Sequence, residues 1–227
     1  FTSMAFALKL RSKIYSKKGY MPRIIYSLPF LSIIEQNAEQ FELVLNEVGF
    51  NVDTDLLLKH HHLSEIYYKM EENEFEPDEA KILIEGWNSE IIVTTFVQLF
   101  HTLLSNKNKN LRKFHRLSGS IIILDEVQSI PFKYWLLVKE ILKELVEKFD
   151  SYVIFVTATE PLIFERQEVK SLANREKYFS ALDRVVIKPK LEKTMMVEEL
   201  AESVKLESDK SYLFILNTIK SAKAFYE

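Results

Sequence analysis

Short apolar runs of strand length alternate with longer amphipathic stretches along the chain, and no other feature narrows the fold as far. RIIYSL (23–28), EIIVTT (90–95), IIIL (121–124) and YVIFV (152–156) carry almost nothing polar until their ends. A strand with one face in water alternates polar and apolar residues, whereas a strand apolar on both faces has to be covered on both. Shorter strand candidates lie at 56–59, 184–187 and 213–216. Residues 1–15, 32–48, 96–104, 132–149, 197–206 and 218–227 have helical patterning. In 32–48 the apolar side is Ile33, Ile34, Phe41, Leu45 and Val48. Such a β-α-β-α succession predicts an α/β, three-layer domain, a mainly parallel sheet with helices on both faces. That domain is expected over 1–188. Residues 188–194 (KPKLEKT) read as a linker, so 189–227 would be linker plus the start of a second α/β unit.

Composition removes several chemistries. The chain has no Cys, which excludes a disulfide scaffold, a thiolate zinc site, an iron–sulfur cluster and a cysteine nucleophile. Its glycines, Gly19, Gly49, Gly86 and Gly119, are far apart, so no Gly-rich phosphate loop is written in it. A net charge of -3 does not draw polyanions to the whole molecule, and nucleic-acid contact has to come from local patches. No apolar run reaches the ~18 residues of a membrane span, and no signal-peptide pattern opens the chain. A cytoplasmic location without a membrane partner is the expectation.

In open parallel sheets, ligands bind at the carboxyl ends of the strands. Each long apolar run here ends in a polar cluster: Ser27-Leu28-Pro29, Thr94-Thr95, Asp125-Glu126-Val127-Gln128 and Thr157-Ala158-Thr159. Asp125-Glu126 is the sharpest of these. Two adjacent acids at a strand tip point different ways, and nucleoside triphosphate chemistry uses such a pair, one for Mg²⁺ and one for the attacking water. The same acids would also suit the first turn of a following helix.

The order of these clusters adds a second observation. IIILDEVQ, an intervening helix and YVIFVTATEP give the order of helicase motifs II and III, and the chain resembles superfamily 2 helicases. Within that superfamily it is most similar to the helicase of type I CRISPR systems, the motor of a DNA-degrading helicase–nuclease. RIIYSLPFLSIIEQNA resembles that family's motif Ia region, WNSEIIVTTFVQLFHTLLS its motif Ib region, HRLSGSIIILDEVQSIP its motif II block and SYLFILNTIKSAKAFYE its motif IV. The resemblance covers 1–227 and implies a RecA-like first domain and the beginning of a second. It places the Gly-Lys-Thr phosphate loop just before Phe1 and motifs V and VI beyond Glu227.

The resemblance also implies roles. Asp125 would hold Mg²⁺, Glu126 would be the catalytic base for ATP hydrolysis, and Gln128 would couple nucleotide state to the facing domain. Thr157 and Thr159 would link that site to strand movement. Ser27, Pro29, Thr94 and Thr95, with Asn217 and Thr218 from the second domain, would touch the nucleic-acid backbone. The implied partners are single-stranded DNA, a CRISPR RNA-guided surveillance complex and a His-Asp nuclease domain or subunit. Another superfamily 2 motor, acting on RNA or duplex DNA, and a non-catalytic half-helicase scaffold are the alternatives.

Weaker features have plainer readings. Three consecutive His, 60–62, cannot all face one ion in a strand, and mixed burial at a strand end is expected. The basic stretches 9–18 and 107–116 contain no acid; the second follows the motif Ib-like helix and suits either solvent or phosphate. The acidic stretch 71–79 around Pro77 reads as a loop. Phe132, Trp135 and Leu136 read as core.

Overall fold

The four long apolar runs lie side by side in a computed structural model of the chain, which describes residues 2–61, 69–70, 73–74, 76–159, 163–165, 167–181, 185–189 and 194–226. In chain order the elements are α1 (Thr2–Lys18), β1 (Ile24–Leu28), α2 (Leu31–Glu47), β2 (Leu57–His60), β3 (Lys69–Met70), β4 (Asn73–Glu74), α3 (Pro77–Glu85), β5 (Ile91–Thr95), α4 (Phe96–Leu104), α5 (Asn108–Phe114), β6 (Ile121–Asp125), α6 (Trp135–Lys148) and β7 (Tyr152–Val156). Five strands form one sheet in the order β2-β5-β1-β6-β7, and every pairing in it is parallel. The two short strands β3 and β4 pair antiparallel apart from it. The chain runs outward from β1 to β2, returns to β5, then crosses β1 to β6. The reversal of direction falls at β1, so the crevice of this sheet opens beside the tips of β1 and β6.

The double-sided burial expected of such strands is present. Ile24, Tyr26, Leu28, Ile91, Val93, Ile121 and Ile123 face a layer built from α1 and α2, among Met4, Ala7, Ile34, Phe41 and Leu45. Ile25, Ile92, Ile122 and Leu124 face the opposite layer, among Ala80, Ile84, Phe96, Leu99, Val138, Leu142 and Leu145. Each fully buried Ile or Leu contributes about 1.5–3 kcal/mol relative to exposure. The three-layer α/β architecture follows.

Several local expectations change. The acidic stretch contains helix α3: Pro77 opens it and Asp78 and Glu79 occupy its first turn, where Pro fits the free N–H positions and acids suit the dipole. Glu71, Glu72 and the third histidine, His62, lie outside the described residues. The basic stretch 107–116 is also partly helical, and Lys113 of α5 is buried. The helix expected from 132 starts at Trp135, after a 3-10 turn over Phe132–Tyr134. Phe132 and Leu136 are therefore not core: they are 79% and 80% exposed, while Val138, Leu142 and Leu145 supply the buried side. Phe132 still packs on the Trp135 ring, with centroids 5.0 Å apart.

The chain divides into two units, Phe1–Lys170 and Ser171–Glu227. The second contains α7 (Arg175–Ala181), α8 (Val197–Ser203) and α9 (Ile219–Tyr226). Residues 213–216 form no strand there, and neither do the described residues 185–187. A strand persists only beside a hydrogen-bonded neighbour, and the described residues of this unit provide none. Phe214 instead packs against Phe225, centroids 4.6 Å apart. Among the described residues no helix is long and apolar enough to cross a membrane.

The C-terminal end of β2 carries a buried polar cluster. Trp87 donates its indole N–H to His60 Nδ1 at 2.8 Å, and the Thr94 hydroxyl donates to the His60 carbonyl at 2.7 Å. His61 turns elsewhere and meets Glu35 at 3.0 Å. Burial, reinforced by Lys113, Lys109 and His61, lowers the His60 pKa to about 3. The unfolded imidazole titrates near 6.5, so it takes up a proton that the folded state refuses. Stability is full above that value and falls as pH drops below it. Acidification from pH 7 to 5.5 is expected to cost about 1 kcal/mol through this group, by urea unfolding at both pH values. His60→Gln should flatten that slope.

Candidate active site

Strand β6 ends on Asp125, and the backbone then turns at once. Glu126 is left-handed, with φ 57° and ψ 42°, and its N–H donates to the Val156 carbonyl at 2.9 Å. A non-Gly residue in that region costs about 1–2 kcal/mol, a strain that concentrates at functional sites. The turn separates the two carboxylates, and both residues are half-buried.

Asp125 points toward β1. Its Oδ2 accepts from the Tyr26 hydroxyl at 2.6 Å, and that hydroxyl lies 3.1 Å from Ser3 Oγ in the first turn of α1. Burial, with the Asp125 carboxylate as acceptor, pushes the Tyr26 phenol well above its usual range. Tyr26 therefore remains a donor throughout the physiological pH range.

Glu126 points toward β7 and is held by Gln128. The Gln128 amide N–H₂ donates to Glu126 Oε2, and its Oε1 accepts from the Thr157 hydroxyl at 2.6 Å. Only this amide orientation serves both neighbours when Glu126 is ionised, because a carboxylate cannot donate. Thr157 Oγ1 also lies 2.5 Å from the Thr159 carbonyl. Glu126, Gln128, Thr157 and Thr159 thus form one polar chain across the tips of β6 and β7.

The other residues singled out in the sequence lie elsewhere. Ser27 is fully buried, and its hydroxyl has no hydrogen-bond partner among the described residues. Thr94 is fully buried. Thr95 caps α4, accepting from the Gln98 N–H at 3.1 Å. Pro29 is half-buried just past β1. Asn217 and Thr218 are exposed in the second unit, where Thr218 accepts from the Ser221 N–H at 3.0 Å. Tyr26 and Ser3 belong to none of the polar strand-end clusters in the sequence. The signal in the sequence is a Tyr inside a strand of Ile and Leu.

Residues 3–166 match the DEAD/DEAH box helicase family. The chain belongs to that family. Helicases of this family use ATP, usually with Mg²⁺, and a RecA-like α/β domain accounts for the parallel sheet. A CRISPR-associated nuclease/helicase Cas3 from Haloferax volcanii is 29% identical over 247 aligned residues, which cover 94% of this chain and 25% of that protein. The chain thus spans about a quarter of the length of that curated relative.

The β6 tip has the donors for a hard cation held largely through water. Asp125 supplies oxygen ligands only, and no hydrogen bond reaches its Oδ1 among the described residues. No group of three or more His, Asp or Glu side chains converges to cage an ion among them. Mg²⁺ usually keeps several waters and binds through one or two carboxylates plus phosphate, which is the donor set this tip can offer.

Proposed function

We propose that the chain is the first motor domain of an ATP-dependent translocase that acts on single-stranded DNA in type I CRISPR interference. The single observation that carries the motor reading is the carboxylate pair at the β6 tip, one acid tied to β1 and the other tied through Gln128 to Thr157. The Cas3 relative supports the CRISPR assignment, since nearly the whole chain aligns with part of it.

In this reading Asp125 would hold the Mg²⁺ that accompanies ATP, and the ion would supply charge neutralisation at the phosphates. Glu126 accepts a proton from the attacking water. Gln128, bonded to both Glu126 and Thr157, passes the state of that carboxylate to the Thr157–Thr159 turn. Closure against a second RecA-like domain, begun within 189–227, and reopening after hydrolysis would move the protein along one strand. Contacts to the nucleic-acid backbone fall to Pro29 and to the exposed Asn217 and Thr218, because Ser27 and Thr94 face inward and Thr95 is buried at the cap of α4. A surveillance complex and a His-Asp nuclease are the partners in this reading.

The test is ATP hydrolysis by the full-length gene product. Single-stranded DNA is expected to stimulate it strongly, and RNA of equal length weakly. Equal stimulation by RNA would move the protein to another branch of superfamily 2. Absence of any Mg²⁺-ATP binding would make it a scaffold.

A further inference from the structure

Tyr26 is a buried phenol where the fold asks only for an apolar ring. Its neighbours on the same face of β1 are Ile24 and Leu28, and its ring packs against Phe41 of α2 with centroids 5.2 Å apart. Phe would fill that space equally well. A buried hydroxyl is costly unless bonded, so its presence has to be explained by its partners. Those partners are Asp125, 2.6 Å away at the tip of β6, and Ser3, 3.1 Å away in α1. An ionised carboxylate only accepts, so Tyr26 donates to Asp125 and its oxygen accepts from Ser3.

The direction of these bonds has a consequence for Asp125. A terminal carboxylate on a strand tip rotates broadly about its last torsion. The phenol removes that freedom by engaging Oδ2, and Oδ1, which no hydrogen bond reaches among the described residues, is the oxygen left fully open to another ligand. The ring that carries the hydroxyl is itself held by Phe41 and by the strand pairing of β1 with β6. Tyr26 is thus a rigid donor on a rigid strand, whereas Asp125 is the last residue of its own strand.

We propose that Tyr26 is the positioning residue for the metal-bearing carboxylate: its hydroxyl fixes Asp125 so that Oδ1 is turned out for the divalent ion that accompanies the nucleotide. The inference rests on the assignment of Asp125 made above. Partners that orient a ligand without touching the metal change metal affinity by about 10–100-fold when removed.

The experiment measures Mn²⁺ binding to the ADP complex of the full-length gene product by the loss of the free-ion EPR signal. Wild type, Tyr26→Phe and Asp125→Asn are compared, with ADP affinity in EDTA and melting temperature recorded beside them. Tyr26→Phe is expected to raise the half-saturating Mn²⁺ about tenfold with ADP affinity in EDTA unchanged. Asp125→Asn should raise it at least as far. A purely structural hydroxyl would lower the melting temperature and leave Mn²⁺ affinity alone, which overturns the proposal. Wild-type Mn²⁺ affinity in Tyr26→Phe with weakened binding in Asp125→Asn overturns the positioning role alone. Wild-type affinity in both overturns the Asp125 assignment as well. Should Tyr26→Phe fold poorly, wild-type protein labelled with ¹³C-tyrosine keeps the question open to decision. The Tyr26 ring resonance should shift when Mg²⁺ is titrated into the ADP complex, and a resonance that ignores the ion sinks the proposal.

Discussion

Glu126→Gln is expected to lower nucleic-acid-stimulated ATP hydrolysis by about a hundredfold to ten-thousandfold, the range that a positioned general base contributes. The substitution is chosen because it removes little else. Gln has the shape of Glu, and its amide oxygen can still accept from the Gln128 amide that now binds the Glu126 carboxylate. The link from Gln128 to Thr157 is untouched, and Asp125 keeps its bond to Tyr26. Binding of Mg²⁺-ATP should therefore survive, measured with a fluorescent nucleotide, while single-turnover hydrolysis collapses. That split separates a lost base from a lost site. Hydrolysis at the wild-type rate would remove Glu126 from the chemistry and with it the motor reading of the β6 tip.

The sequence reveals this tip because the relevant pattern is local. An apolar run long enough for one strand, closed by Asp125-Glu126, places both acids at a sheet edge whatever the rest of the chain does. Thr157 and Thr159 become legible by the same rule applied to the next run. The partners of those residues are not local. Tyr26 and Asp125 are 99 residues apart, and no periodicity connects them. Strand order is non-local too: β5 inserts between β1 and β2, though β2 precedes it in the chain. Hydroxyl-rich strand ends look alike in sequence, yet Ser27 and Thr94 turn inward while Thr95 caps a helix.

Lys113 is the sharpest example of context defeating composition. It sits in a stretch of lysines and arginines that reads as facing either solvent or phosphate. In the fold it is fully buried, with its ammonium 5.6 Å from the Trp87 ring centroid and 3.4 Å from Gln98 Oε1. Burial, aided by Lys109, brings its pKa down to about 8. Nothing in residues 107–116 announces this, because the helix that buries it is fixed by its packing on α3 and α4. The acidic stretch misleads in the same way. Asp78 and Glu79 occupy the first turn of α3, while Ala80 and Ile84 are the residues that pack inward.

Trp87→Ala should be the most damaging single change to the folded state, at about 4 kcal/mol or more. Trp87 is fully buried although it follows the α3 helix in a left-handed conformation, with φ 51°. Truncation leaves a large cavity in the layer formed by α3, α4 and α6, for which aromatic-to-Ala changes cost about 3–5 kcal/mol. It also strips His60 Nδ1 of its donor and takes the ring away from the buried Lys113 ammonium. An unsatisfied buried acceptor adds about 1–3 kcal/mol unless water enters, and loss of the cation–π contact adds roughly 0.5–2. Against a domain stability of about 5–15 kcal/mol, that sum brings the fold near its unfolding point. Trp87→Phe separates the contributions in part, since it keeps a six-membered aromatic ring and loses the pyrrole portion with its N–H. It should cost less than half as much. Urea unfolding followed by circular dichroism is the appropriate measurement, because the variants also lose a fluorescent reporter. The pH series supplies the internal check. If water fills the cavity in Trp87→Ala, His60 is resolvated, its folded pKa climbs back toward the unfolded value, and the acid sensitivity between pH 7 and 5.5 shrinks. A Trp87→Ala protein that loses less than about 1 kcal/mol would mean that this cluster is not what closes the β2 edge of the sheet.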